Sequence, residues 1–535
     1  MVYAIDFGTS NTVVVRWNQA EEQPETLALP GLSQQLANNP PLIPSLLYVE
    51  DGMRPEVVVG QSVRDRGLDL GSNPRFFRNF KRGIGAEVQG FLPQIDGQEI
   101  NFERAGAWFL NTVIQQLQTA EASLDATVDS IVFTVPVDSF EAYRNWLTQV
   151  CHALNVNEVR LLDEPTAAAL GYGLDNQGTI LVIDFGGGTL DLSIVRLEGS
   201  KQTPAKPVGF LLKWGQRVLE ESTQRPKLAR VLAKAGQNLG GADIDSWLID
   251  HFAETEGLAV SPLTLRLVER LKIQLSQQLT AQEIYFNDET FESYELQLDR
   301  SQLEQILQQR QFFDRLDATM TQVLQQAQRQ GLTPDQIDAV LLVGGTSQMP
   351  AMKTWVTQYF PIEKVRADKP FEAIAQGALQ LNRGIEIKDF LYHSYGIRYW
   401  DRRNNCHSWH PLIKAGQPYP MLQPVELILG ASLENQPSIE LVIGELGTET
   451  STTEVYFDGD RLVTRALAGG QTIVKPLNDQ GSAKTIARLD PPGYPGNDRI
   501  KVLFRVDAAR FLRITVEDML TLRTLVEDKP VVQLS

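Results

Sequence analysis

Cysteine is nearly missing: Cys151 and Cys406 are the only two in 535 residues. A disulfide framework therefore does not hold this fold, and a metal site built on clustered cysteines is excluded. A reducing, cytoplasmic setting is the expectation that follows. No uninterrupted apolar run approaches the length that crosses a bilayer, and the N-terminus enters a strand with neither a charged leader nor a signal-peptide core, so secretion and membrane insertion are not expected. Positive charge is also short, because 49 Lys and Arg against 66 Asp and Glu leave a net charge of -17. That balance opposes general binding to nucleic acid or anionic membrane. One basic stretch departs from it, Lys201 to Lys234 with Lys213, Arg217, Arg225, Lys227 and Arg230. A solvated helical face or loop accounts for that stretch as it stands.

What the chain does have is a repeated turn. An apolar strand, Met1 to Ile5, runs into Asp6-Phe7-Gly8-Thr9-Ser10-Asn11, and a second, Thr179 to Ile183, runs into Asp184-Phe185-Gly186-Gly187-Gly188-Thr189. In each, a carboxylate stands at the strand end and glycines let the backbone turn tightly, so N–H groups can converge on an anion beside an acid suited to a hydrated cation. Either copy alone is also an ordinary hairpin turn. Two copies describe a nucleoside triphosphate and its Mg2+ gripped from both sides.

The length allows two to four domains, and the apolar fraction of 42% with 21% charged residues is that of a globular protein. Up to about residue 385, strands alternate with amphipathic helices, as in Ser130 to Val135 followed by Glu141 to Leu154, or Ala339 to Val343 followed by Pro350 to Tyr359. This alternation predicts helices covering a largely buried sheet. Beyond Asp389-Phe390-Leu391 the runs turn short and β-rich: Val425 to Leu429, Ile439 to Ile443, Ile500 to Val506 and Phe511 to Val516, separated by turn-rich segments such as Pro491 to Gly496. The expected organisation is an α/β domain over 1–385, a linker over 386–391 and a β-sandwich over 392–535.

A third glycine turn, Val343-Gly344-Gly345-Thr346-Ser347, precedes a helix near Pro350 and suits another backbone contact to nucleotide. None of the three turns has the Gly-x-x-x-x-Gly-Lys-Ser/Thr pattern, so the P-loop fold is not the source of the site. Asp163-Glu164-Pro165-Thr166 places a carboxylate just ahead of a helix that opens with Pro. Taken alone, Glu164 is a helix-start acid favouring the macrodipole; facing the cleft, it would orient water.

Asp6 to Asn11, Glu164 to Ala169, Asp184 to Asp191, Leu239-Gly240-Gly241, Val343-Gly344-Gly345 and Asp389-Phe390-Leu391 occur in the order and spacing of one family. In these motifs the chain resembles the 70-kilodalton heat-shock chaperones along nearly its whole length. The resemblance implies an α/β actin-like ATPase domain of two lobes, followed by an all-β sandwich that holds extended peptides. It implies that Lys81 stabilises charge on the transferring phosphoryl group, that Glu164, Asp184 and Thr189 place the attacking water and the magnesium shell, and that Asp6 and Asp184 hold Mg2+ through water. Gly8, Thr9, Ser10, Asn11, Gly186, Gly187, Gly188, Gly240, Gly241, Gly344, Gly345 and Thr346 would contact ATP or ADP. Without the family, Lys81 is a surface cation.

For the base, the family pattern maps onto Glu269, Lys272 and Ser276, whose spacing puts them on one helix face and equally fits an exposed ion pair. Gln348 stands where the family usually has an arginine packed on adenine, a loss of roughly 1 kcal/mol on the scale of an exposed cation–π contact. Phe371 stands where an aspartate is usual. Pro136 and Arg144 match an interdomain relay, Arg160 a co-chaperone contact, and Asp389, Phe390 and Leu391 the docking linker. Read plainly, these are a strand-ending proline, two surface arginines and a tether. The family continues from the sandwich into a helical lid, whereas this sequence stops at Pro530 to Ser535, so a lidless variant with fast peptide release is expected. Trp400, Leu429, Ile439 and Leu441 are candidates for the peptide pocket or equally for sandwich core, and Trp400 to Asn405 is more charged than the apolar loop expected there.

The expectation is a monomeric ATP-hydrolysing chaperone in protein folding and stress response. Its implied partners are unfolded client proteins, a J-domain co-chaperone and a nucleotide-exchange factor. Alternatives are a nucleotide-controlled binding module with vestigial hydrolysis, a metabolite kinase of the actin-like superfamily, and a filament former.

Overall fold

The structure, a computed structural model, describes residues 2–534 except 19–20, 36–38, 87, 90–91, 123–126, 137–142, 144–145, 148, 152–155, 157, 174–177, 198–209, 214–228, 288–290, 381–390, 392–393, 402–405, 415–416, 418, 422, 432, 447–451, 459–460, 468–473, 479–484, 496–497 and 508–509. The chain divides into two compact units, Met1–Ile387 with Thr453–Arg465, and Lys388–Thr452 with Ala466–Ser535.

Two sheets organise the first unit, and both use one strand order. In the first, β1 (Val2–Phe7) pairs antiparallel with β2 (Asn11–Asn18), which pairs with β3 (Gln23–Thr26); on its other side β1 runs parallel to β4 (Ser130–Val135), and β4 to β5 (Glu158–Asp163). In the second, β6 (Gly178–Phe185) pairs antiparallel with β7 (Leu190–Leu197), which pairs with β8 (Ala229–Gln237); β6 is parallel to β9 (Ala339–Val343), and β9 to β10 (Val365–Arg366). Among the named strands, each sheet therefore runs in the order third, second, first, fourth, fifth, with antiparallel partners on one side of the first strand and parallel ones on the other; the first sheet also carries Phe210–Lys213, antiparallel to β5, and Ile43–Pro44, antiparallel to β2. The parallel strands β4 and β9 are buried along their whole length, which is why β9 reads as an unbroken apolar run and β4 as one interrupted only by the buried Ser130 and Thr134.

Both expected strands extend two residues further than the sequence suggested, so Asp6 and Asp184 are the penultimate residues of β1 and β6 and keep ladder partners, Val13 and Asp191. Phe210–Lys213 and β8 are strands, so part of the basic stretch is sheet and neither helix nor loop; Arg217, Arg225 and Lys227 lie outside the described residues. The helix expected over 141–154 also falls largely outside them.

Helices α1 (Glu164–Gly171), α2 (Gly241–Glu256), α3 (Pro262–Gln277) and α4 (Ala373–Gln380) position the site. α1 and α4 approach each other backbone to backbone: a Cβ on Gly377 would fall on the Ala167 carbonyl, and one on Gly171 on that of Ala373. Ala167, Ala168 and Ala169, together with Ala373, Ala375 and Ala378, share a buried cluster with Leu341 and Val343 of β9, so the alanine run in the sequence is an interhelical seam. A second cluster lies against β6 and β7, where the Phe185 and Phe312 rings stack at 5.9 Å.

Strands, turns and irregular segments make up the described residues of the second unit. One sheet joins Cys406–Ile413, Ser394–Asp401, Ile443–Leu446 and Val474–Pro476; another joins Val425–Gly430, Asp498–Val506, Phe511–Asp518 and Arg523–Gln533. Phe511–Asp518 alternates half-buried and buried positions along its length, the period expected of a strand with one covered face. Two sequence expectations need correction here. Ile439 to Ile443 is not one strand but the end of Gln436–Glu440 and the start of Ile443–Leu446, which belong to different sheets. The buried Asn478 amide stitches the break, accepting from Ile443 N at 2.7 Å and donating to Leu441 O at 3.0 Å. Pro491, Pro492 and Gly493 are not a separator but the end of the strand Thr485–Gly493, which among the described residues pairs with Gln436–Glu440 alone, and such an edge tolerates proline.

Candidate functional site

The two hairpin loops meet. A Cβ on Gly187 would strike the Ser10 hydroxyl, and one on Gly188 would stand 2.8 Å from Thr9 Oγ1. The first loop is anchored by Ser45, whose hydroxyl donates to Gly8 O at 2.7 Å and whose N–H donates to Ser10 O at 2.9 Å. The second is anchored by the start of α2 and by the third glycine turn: Gly241 N donates to Gly186 O at 3.1 Å, Ala242 N to Gly187 O at 2.9 Å, and Thr346 Oγ1 to Gly186 O at 2.8 Å. Gly344 holds φ at +83°, and a Cβ there would stand 2.7 Å from Asp184 Oδ1, so only glycine fits between the third turn and the end of β6.

Beside these loops, Lys81 donates to Glu164 Oε1 at 3.1 Å, and both side chains are only 11% exposed. Glu164 opens α1 behind a side-chain cap, with Asp163 Oδ1 accepting from Thr166 N at 2.9 Å. The Lys81 ammonium lies 5.8 Å from the ring centres of both Phe7 and Tyr143, and the Tyr143 hydroxyl donates to the Lys81 carbonyl at 2.9 Å. The surface-cation reading of Lys81 is thereby replaced by a buried ion pair.

Asp6, Asp184 and Asp191 complete a cluster of acids. Burial, then the charge of Glu164, pushes Asp6 up to about 6, while Lys81 and a 2.7 Å bond from Thr134 Oγ1 pull against the rise. Asp191 is pushed up to about 6 by burial and Glu164, against a bond from Thr189. Asp184 stands well above the usual carboxylate range through burial and the charges of Glu164, Asp191 and Asp6. Burial works against the Lys81 cation, but Glu164, Tyr143 and Asp6 outweigh it and raise its pKa. Buried acids thus outnumber the cation that offsets them, a donor set that fits a divalent ion. Among the described residues no group of three or more His, Cys, Asp or Glu could ligate such an ion directly, which leaves contact through water as the fit.

This cluster carries a pH consequence. Unfolded aspartates titrate near about 3.9, so between that value and about 6 the native protein binds more protons than the unfolded chain, and stability falls as pH rises through the window. Without nucleotide or Mg2+, the melting temperature of the wild type should fall by a few degrees more than that of Asp6→Asn between about pH 5 and about pH 7. Equal slopes in thermal melts would contradict the assignment.

The base-pocket candidates sit together on α3 but take different partners. Glu269 pairs with Arg64 at 3.3 Å, Lys272 with Asp245 at 2.7 Å and with Gly241 O at 2.9 Å, and Ser276 Oγ donates to Lys272 O at 3.3 Å. A Cβ on Gly240 would strike the Gly187 carbonyl, which places that turn against the second loop. Gln348 ends the third turn, half-buried. Pro136 lines a small cavity with Glu164, Asp184, Asp191 and Lys234. Arg160 lies on β5 opposite Val132. Arg144, Asp389 and Phe390 fall outside the described residues. In the second unit Leu391 is buried, its N–H donating to Gln417 O at 2.8 Å. Ile439 and Leu441 are buried, Leu429 is half-buried, and Trp400 pairs in register with His407.

Sequence reasoning gave no role to Tyr143, Thr134, Asp191, Arg64 or Arg82. Arg82 donates to Gly188 O and, at 2.7 Å, to Asp243, which also accepts from Gly240 N at 2.7 Å. Asp191 had a signal, since a hairpin with Phe185 opposite Leu190 must set Asp184 opposite Asp191. Compared with known families, the chain matches the model of the Hsp70 protein over residues 87–202 and 228–393, more than half of its length. The match takes in Glu164, Asp184 and the third turn; Asp6 and Lys81 lie ahead of it and join the site by geometry.

Proposed function

The chain belongs to the Hsp70 family, and from that premise we propose that it hydrolyses ATP at the Lys81–Glu164 site and uses the nucleotide cycle to bind and release apolar segments of unfolded proteins. An Hsp70 domain supports a chaperone or ATPase role, and members of the family bind ATP or ADP with Mg2+. The observation that carries the reading is the buried Lys81–Glu164 pair set among Asp6, Asp184 and Asp191 where the two glycine loops touch.

Phosphoryl transfer needs positioning and neutralisation of charge more than covalent help. Lys81 would turn its ammonium from Glu164 toward the transferring group, held in place by Phe7 and Tyr143. Glu164 and Asp184 would accept hydrogen bonds from the attacking water, and Thr189 would steady Asp191. Mg2+, when bound, supplies the remaining neutralisation on the phosphate oxygens, and Asp6 and Asp184 would hold its water shell. Gly8 to Asn11, Gly186 to Gly188, Gly240, Gly241 and Gly344 to Thr346 would line the phosphates and ribose. Coupling to an all-β peptide-binding region through 386–391, with Pro136, Arg144 and Arg160 as relay and J-domain contact, completes the proposal. ATP would shift that coupling only through unequal affinity for two arrangements.

Measuring ATP cleavage in a single turnover with Mg2+ tests the reading. Cleavage that rises with a J-domain protein is expected, and absence of cleavage in the wild type would favour a nucleotide-controlled binding module. A second expectation concerns release. Arg64–Glu269 and Arg266–Asp69, at 3.3 and 3.2 Å, tie residues 64–69 to α3. Such partly exposed pairs contribute about 0.2–1 kcal/mol each, so Arg64→Ala with Arg266→Ala should speed ADP release by several-fold. Stopped-flow displacement of a fluorescent ADP analogue measures it, and an unchanged rate would remove the pairs from the release step.

A further inference from the structure

We propose that Phe371 forms a wall of the nucleobase site and stacks its ring on the base of the bound nucleotide. The inference rests on the ATP reading above and adds the residue that holds the base. The third glycine turn places it. On one side, Thr346 donates to Gly186 O, and a Cβ on Gly241 would stand 2.8 Å from Thr346 Oγ1 and 3.0 Å from Lys272 Nζ, so the second loop, the turn and the candidate base face of α3 converge. On the other side, Gly344 N donates to Pro370 O at 2.7 Å, which ties the turn to the segment carrying Phe371. The ring edge follows: Cε1 and Cζ of Phe371 lie 3.0 and 3.4 Å from where a Cβ on Gly345 would stand.

Gly345 is exposed and Phe371 half-buried, its inner part packed against the cluster of Leu341, Val343 and Ala373. An aromatic surface therefore remains beside the turn, a few residues from Gln348, which has no planar cation to offer a base. Every nucleobase has a π-face, so a ring holds it without reading its edge. ATP and GTP should feel the loss of this ring alike.

Calorimetric titration of the full chain with ATP, GTP and inorganic tripolyphosphate, each with Mg2+, tests the inference. Phe371→Leu, which keeps an apolar contact on Gly345, should weaken ATP and GTP about tenfold, Phe371→Tyr should stay within about twofold of wild type, and tripolyphosphate should bind all three proteins equally. ATP affinity unchanged in Phe371→Leu, or tripolyphosphate weakened in parallel with ATP, would overturn the stacking role and leave the ATPase reading intact. A wild type that binds tripolyphosphate but gains nothing from the base would overturn it too, and a wild type that binds none of the three would overturn both.

Discussion

In the Lys81→Ala variant, ATP cleavage in a single turnover is expected to fall by about two to three orders of magnitude, the scale seen when one preorganised charge-stabilising group is removed. Nucleotide affinity should change by only a few-fold, because the glycine loops and their anchors at Ser45 and Thr346 stay in place. The reason is the setting of the lysine. Its ammonium is 3.1 Å from Glu164, nearly excluded from water, and flanked by two aromatic rings, so its charge acts in a medium that screens it poorly. Tyr143→Phe gives a graded version, since it removes only the 2.9 Å bond to the Lys81 carbonyl, worth about 0.5–1.5 kcal/mol, and should slow cleavage by several-fold. Quench-flow measurement of ADP formation checks both. A Lys81→Ala rate within about threefold of wild type would place the chemistry elsewhere.

The largest effect on stability is expected from Gly377→Ala. The added methyl would occupy the position of the Ala167 carbonyl oxygen, with Gly171 N only 2.6 Å away, so relief requires α1 and α4 to separate. Overpacking against side chains costs about 1–3 kcal/mol, and here the obstacle is backbone, which places the variant at or above the upper end. Separation would also shift Glu164 at the head of α1, so reduced cleavage should accompany the lower melting temperature. Gly71→Ala is the control: nothing lies within 4 Å of its added carbon, and a change under about 0.5 kcal/mol is expected. Thermal melts of the two variants decide it, and equal melting temperatures would contradict the close helix approach.

How far the sequence shows this arrangement depends on the range of the contact. Strand, acid and glycine follow one another in the chain, so the two hairpins and the third turn are legible as local patterns; the common strand order of the two sheets gives those patterns their shared geometry. Lys81 was legible only through the family resemblance, because its burial depends on Phe7, Tyr143 and Glu164, which arrive from three separate segments. The candidate base face on α3 shows the same limit. Helical spacing puts Glu269, Lys272 and Ser276 together, but it gives no hint that Glu269 would take Arg64 and Lys272 would take Asp245. In the second unit, apolar runs mark strands well, whereas the break at Leu441 needs a buried asparagine 37 residues away, and Pro491 to Gly493 read as a turn because edge position is invisible in sequence.

On the proposed function, Asp6 and Asp184 would clasp a triphosphate and its metal from two hairpins. Calorimetric titration of ATP with Mg2+ into the wild type and into Asp6→Asn with Asp184→Asn tests it most directly. Heat of binding in the wild type that disappears in the double variant, with both proteins melting cooperatively, is the predicted result. No binding in the wild type, or equal binding in both, would contradict the account.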